Sequence, residues 1–158
     1  MSDLSHVDEN GNAIMVDISS KNKTERTATA IGCVQMQPKT IDLIQDGGFK
    51  KGDVLTIAQL AGIMGAKRTP DLIPLCHPLN LSSVKVNLCC NSDSNTVDIE
   101  ATCKLIGQTG VEMEALTAVC VAALTIYDMC KSVDKSMQIG GIRLIHKAGG
   151  NSGVFKAE

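Results

Sequence analysis

Aromatic residues are nearly absent from this chain. Tryptophan does not occur and the aromatic share is 2%, so the stacking surfaces on which nucleic-acid strands are commonly held are missing. Neither sign of charge dominates: 15 Lys and Arg stand against 17 Asp and Glu, a formal net charge of −2. Binding to a phosphate backbone needs a basic balance, and composition therefore argues against a nucleic-acid partner. No C-x-x-C occurs among the seven cysteines, and their number is odd. A disulfide framework is unsupported, as is a zinc site of finger-like spacing. The adjacent Cys76-His77 does not change this, because neighbours on an extended chain point to opposite sides. Free thiols inside apolar runs fit a reducing compartment such as the cytoplasm. Long hydrophobic runs are missing too. Ala115 to Tyr127 spans 13 residues with two threonines, whereas a membrane helix needs about 18 to 20. Met1 to Gly11 is polar and acidic, unlike a secretory signal. A soluble protein with no membrane partner is expected.

What is present is apolar volume. With 158 residues and 44% hydrophobic side chains, the chain can build one compact domain without metal or disulfide staples. Residues 1–15 read as a flexible arm, 16–148 as a single domain and 149–158 as a flexible tail rich in Gly and Ser. Thr27 to Met36 suggests a strand. Thr40 to Gln45 suggests a short helix stopped by Gly47-Gly48. Asp53 is a good N-cap for a second helix over Val54 to Ala66. Thr69 to Pro78 carries three prolines and reads as a rigid ordered loop. Ser83 to Cys90 and Thr96 to Leu105 alternate apolar and polar residues around the turn cluster Asn91 to Asn95, a hairpin pattern. A long helix over Val111 to Val133 and a last strand over Met137 to Lys147 complete an α+β sandwich, an antiparallel sheet covered by helices.

The long helix is apolar nearly all round, so it needs cover on more than one side. One helix layer in a domain of this size leaves part of it bare, and an oligomer is expected. Its charges sit at its ends. Glu112 and Glu114 lie in the first turn, where the helix dipole favours acids. Asp128 and Lys131 lie three residues apart near the other end. An intrahelical ion pair explains them blandly; a water-poor acid–base pair explains them functionally. Fourteen residues separate Glu114 from Asp128, which puts them about 40° apart around the axis but about 21 Å apart along it. One helix cannot bring both to the same atom. Either a long substrate spans them, or the start of one helix meets the end of another subunit's.

Lys50-Lys51-Gly52-Asp53 precedes the second helix and Lys67-Arg68 follows it. An anion could rest on such a turn, though a solvated basic loop explains it as well, and the G-x-x-x-x-G-K-[ST] spacing is absent. His77, pinned by Pro78, suits a positioned donor or proton carrier, or a hydrogen-bonded loop residue.

Four strings together, KGDVL at 51–55, AKRTPDLIPLCHPL at 66–79, TGVEMEALTAV at 109–119 and TIYDMCK at 125–131, resemble the signature blocks of the cyclic pyranopterin monophosphate synthase (MoaC) family of molybdenum cofactor biosynthesis. The likeness runs from about Val16 to Lys147. It implies a ferredoxin-like fold, assembled as a homohexamer that is a trimer of dimers with sites between subunits. It also implies a small nucleotide-derived substrate, 3′,8-cyclo-7,8-dihydroguanosine 5′-triphosphate, converted to cyclic pyranopterin monophosphate and pyrophosphate. By the same resemblance Asp128 and Lys131 share the acid/base roles, and Lys51 and His77 would assist and hold phosphate. Lys67, Arg26, Lys21 and Lys147 would receive the triphosphate. Leu75, Cys76 and His77, with Glu112, Met113 and Glu114, would line the purine-derived end. Asn151 and Gln37 depart from the basic residues of the family pattern. No resident cofactor is implied; Mg²⁺ can accompany the triphosphate.

Overall fold

The computed structural model describes residues 5–157; the first four residues of the polar arm and Glu158 of the tail lie outside the described residues. The elements run β1 (Thr24–Gln35), α1 (Pro38–Gln45), α2 (Val54–Lys67), α3 (Thr69–Leu72), β2 (Ser83–Asn91), β3 (Thr96–Gly107), α4 (Glu112–Cys130), β4 (Gln138–Ala148) and β5 (Phe155–Lys156). The sheet has the order β2-β3-β1-β4-β5, antiparallel throughout. This is the α+β ferredoxin-like sandwich expected from the sequence, extended by a two-residue edge strand that the sequence did not foretell.

Local chemistry explains the boundaries. Asp53 caps α2 by accepting from the Thr56 N–H at 3.1 Å, which satisfies one of the orphan amides of the first turn. Gly47, at φ +66°, ends α1 where the sequence has its paired glycines. Thr69 to Leu72 departs from the expected loop by forming one helical turn. Pro70 sits in its first turn, where a missing N–H costs nothing.

The helices α2 and α4 pack against one face of the sheet and against each other. On β1 the inward positions Ala28, Ala30 and Val34 are fully buried. From α4 they are met by Ala115, Ala118, Val119, Ala122 and Ile126, all inaccessible to solvent. Small residues let the helices approach closely: a Cβ on Gly62 would lie 3.0 Å from the Ala118 carbonyl oxygen, and one on Gly65 would lie 2.8 Å from Val121 Cγ2. By length and composition α4 could cross a membrane, but more than half of it is buried in this core. Its outer side is bare as expected. Leu124 is 60% exposed, and Leu60 and Met64 on α2 are similarly open.

Two irregularities in the β1–β4 ladder set which residues face the helices. Thr29 pairs with His146 but Ala30 with Leu144, so Ile145 is an extra residue on β4; a second shift falls between Ile31 and Cys33. Each such bulge reverses the alternation of faces beyond it. The first places Lys147 opposite inward-facing Ala28, on the helix side of the sheet.

Candidate active site

Side chains with polar function gather at the two ends of α4. At its start lies a cleft of about 570 Å³ lined by Lys21, Arg26, Gln108, Glu112, Lys147 and Gly149 among others. A smaller hollow of about 130 Å³ adjoins it, lined by Leu75, Cys76, His77, Met113 and Glu114. The two share Thr109, Gly110 and Glu112. The α4 N-terminus brings Glu112 there, and the bulged end of β4 brings Lys147, whose ammonium lies 2.7 Å from the Glu112 carboxylate. The prolyl segment carries His77, whose Nε2 stands 2.8 Å from the Val16 carbonyl oxygen. That contact ties the histidine to the segment before β1 and requires Nε2 to carry the proton.

Glu114 is the most perturbed acid. It is 3% exposed, and burial pushes its pKa from 4.5 up to about 7, with the nearby Glu112 charge adding in the same direction. A carboxyl near half-protonation at neutral pH can both give and take a hydrogen bond or a proton. The sequence showed only an acid in the first turn of a helix; that Glu114 points inward and Glu112 toward Lys147 follows from the helix rotation.

At the far end of α4, Lys131 Nζ lies 2.5 Å from Asp128 Oδ1, and Lys51 Nζ donates to the Asp128 carbonyl oxygen at 3.2 Å. The hydrogen bond from Lys131, then the Lys131 and Lys51 charges, hold the Asp128 pKa below the usual range; the same bond raises that of Lys131. The pair therefore rests as carboxylate and ammonium. It is not water-poor within one chain. The Asp128 side chain is 64% exposed, because Ile126, Met129 and Cys130 take the inward positions of the last turns. The site residues thus form two groups. Lys21, Arg26, Lys147, Glu112, Glu114, Met113, Leu75, Cys76 and His77 are together; Lys51, Asp128 and Lys131 are together elsewhere. Lys67 joins neither and lines a separate hollow with Leu79 and Asn80.

The sequence model of the MoaC family matches residues 15–150. The chain belongs to the MoaC family. Family membership is equally plain from individual relatives. A protein of Rhodospirillum rubrum is 63% identical over 154 residues, covering 98% of this chain and 93% of the relative. One of Roseiflexus sp. RS-1 is 59% identical over 155 residues, covering 98% of each. One of Dinoroseobacter shibae is 61% identical over 158 residues, covering all of both. Each of these relatives carries the name cyclic pyranopterin monophosphate synthase.

Within the family frame, two residues of this chain escaped sequence reasoning. Gln108 lies in the cleft wall, and nothing in its spacing marks it. Asp134 is 2% exposed and accepts from Gln37 N–H at 2.8 Å, Ser136 Oγ at 2.7 Å and Thr40 Oγ1 at 3.2 Å. Burial raises its pKa, but these donors outweigh it and leave the net shift downward. Its role is to bind the start of α1 to the turn after α4. Departing Asn151 lines the basic cleft, and departing Gln37 presents its backbone to Asp134 rather than its side chain.

Proposed function

We propose that this protein is a lyase that converts (8S)-3′,8-cyclo-7,8-dihydroguanosine 5′-triphosphate to cyclic pyranopterin monophosphate and pyrophosphate in molybdenum cofactor biosynthesis. The single observation that carries the reading is full-length membership of a family whose curated relatives bear that synthase name. The clefts fit the substrate's two halves. Lys21, Arg26 and Lys147 offer cations to a triphosphate. Glu112 and Glu114 offer acceptors to the donor-rich edge of a guanine-type ring, beside Leu75, Cys76, His77 and Met113.

The chemistry calls for proton transfers during ring opening and closure, and then for cyclisation at phosphorus. A hydroxyl gives its proton to a base, its oxygen bonds to the α-phosphorus, and the bond to the β-phosphate breaks to release pyrophosphate. A resting carboxylate and ammonium, Asp128 and Lys131, are the base and acid of this scheme, with Lys51 and His77 assisting. We place them in the same site as the clefts through assembly. Glu114 and Asp128 stand fourteen positions, about 21 Å, apart along one helix, which supports a site in which the far end of α4 comes from another chain. The bare apolar side chains Leu60, Met64 and Leu124 support an oligomer, which we take to be a homohexamer, a trimer of dimers. Burial between chains would also bring the pKa values of Asp128 and Lys131 toward neutrality, where general acids and bases work best.

We propose that no resident metal is required and that Mg²⁺ can accompany the triphosphate. A cytoplasmic location is supported by seven unpaired cysteines. The deciding experiment is an anaerobic assay of pyrophosphate release from the cyclic dihydroguanosine triphosphate. Release by wild type is expected. Its absence from a folded, reduced sample refutes the reading.

A further inference from the structure

The basic cleft is walled by three segments without regular structure: Ser20–Asn22 before β1, Gln108–Gly110 between β3 and α4, and Gly149–Ser152 after β4. Irregular backbone keeps a defined shape only where its polar groups are tied down. Two side chains tie these segments together. Gln108 Nε2 donates to the Lys21 carbonyl oxygen at 2.9 Å and to the Ser19 carbonyl oxygen at 3.3 Å. Arg26 donates from Nε to Gly107 O at 3.3 Å, from Nη2 to Gln108 O at 3.3 Å, and from Nη1 to Gly149 O at 3.2 Å.

The packing around Arg26 admits nothing larger than hydrogen. A Cβ on Gly150 would overlap the guanidinium at 1.7 Å, and Gly149 and Gly150 have φ of +105° and +73°, where L side chains are disfavoured. Arg26 is thus a strut, with three of its five N–H donors engaged by its own chain. It holds the turn that carries Gln108, and Gln108 in turn holds the arm that carries Lys21. The Lys21 ammonium itself forms no ion pair among the described residues.

We infer that Gln108 is a positioning residue of the phosphate cleft: its carboxamide clips the Ser19 and Lys21 carbonyls to the β3–α4 turn and so presents the Lys21 ammonium to the ligand. This rests on the reading that the cleft receives the triphosphate. The clip uses only the N–H donors of the amide. A glutamate has the same shape but offers acceptors at neutral pH, and it would face two carbonyl oxygens with no proton between them. Gln108→Glu therefore releases the arm without opening a cavity.

Two measurements on the full chain test this. Trypsin cleavage after Lys21 under native conditions reads the clip directly. Losing two hydrogen bonds of ordinary strength should speed cleavage about tenfold in Gln108→Glu, and an unchanged rate overturns the inference. Steady-state kinetics then read the consequence. Gln108→Glu and Lys21→Ala should each raise KM for the cyclic dihydroguanosine triphosphate about five- to tenfold, and weaken inhibition by inorganic tripolyphosphate comparably. The double variant should be no worse than Lys21→Ala alone. An additive double variant overturns the link to Lys21. If Lys21→Ala changes neither constant, the phosphate reading of the cleft fails and takes the inference with it. If Lys21→Ala weakens binding and Gln108→Glu does not, the inference alone fails. Should Gln108→Glu prove unstable in thermal unfolding, Gln108→Ala removes the donors without adding a charge, and the same outcomes decide.

Discussion

Replacing Glu114 with glutamine removes a titration that the fold imposes on this position. In the native chain, burial raises the pKa of Glu114 from 4.5 to about 7, while the unfolded chain releases the proton near the ordinary carboxylate value of about 4.3. Below both values the group is protonated in each state and contributes no pH dependence. Between them the native state binds more protons than the unfolded one, so stability falls as pH rises, levelling off above about 7. At about 1.4 kcal/mol for each tenfold change in proton affinity, the full span is worth about 4 kcal/mol. The substituted amide keeps the shape and has nothing to ionise. Glu114→Gln should thus match wild type near pH 4.5 and be more stable by up to about 4 kcal/mol at pH 8, about 8 to 16 °C in Tm for a chain of this length. The assay is thermal or urea unfolding at several pH values with protomer concentration held fixed, because assembly would otherwise shift the midpoint. Parallel stability curves for the two proteins would show that Glu114 ionises freely in the folded state and would refute the burial argument.

Other outcomes follow from the same geometry. Asp128→Ala and Lys131→Ala should each abolish pyrophosphate release while the oligomer persists by size-exclusion chromatography; activity near wild type would return the pair to a simple ion pair. Mixing inactive Glu114→Ala and Lys131→Ala chains under verified subunit exchange should restore some turnover if the two ends of α4 meet across an interface, and no recovery would place the site within one chain. Asp134→Ala strands buried donors of Gln37, Thr40 and Ser136 and should cost about 2 to 4 kcal/mol in chemical unfolding. Because the Asp134 pKa is lowered, its stabilisation is present above the unfolded value of about 3.9 and lost as pH falls through the lower folded one, a slope opposite to that of Glu114. Gly65→Val drives side-chain carbons into Val121 and should lower stability by about 1 to 3 kcal/mol, read as a drop in Tm.

Much of this architecture was legible in the chain itself. Period-two alternation in Ser83–Cys90 and Thr96–Leu105 marks the hairpin because only one face of that sheet is buried. The Asp53 cap and the paired glycines Gly47-Gly48 mark helix ends because their chemistry is local. The four signature blocks hold most of the candidate site residues. What the sequence hid depends on rotation and on distance along the chain. Apolar periodicity could not say that Glu114 turns inward while Asp128 turns out, since α4 has few polar residues to fix its phase. Lys67 is the last residue of α2, whose end carries it away from the basic cleft. Gln108 is one glutamine among several until the arm lies across it. The final strand β5 has two residues, too few to show a pattern.

The extra residue at Ile145 gives β4 a parity. With the chain length unchanged and the bulge ironed out, Ile145 would pair with Thr29 and Lys147 would stand opposite Thr27, pointing away from α4 and leaving Glu112 without its cation and the cleft without one of its charges. Deleting Ile145 instead would leave His146 opposite Thr29 and Lys147 opposite Ala28, so a chain shortened by that one residue would still present the lysine to the cleft. The bulge thus works as a buffer: it absorbs the extra residue and keeps the face of Lys147 independent of it.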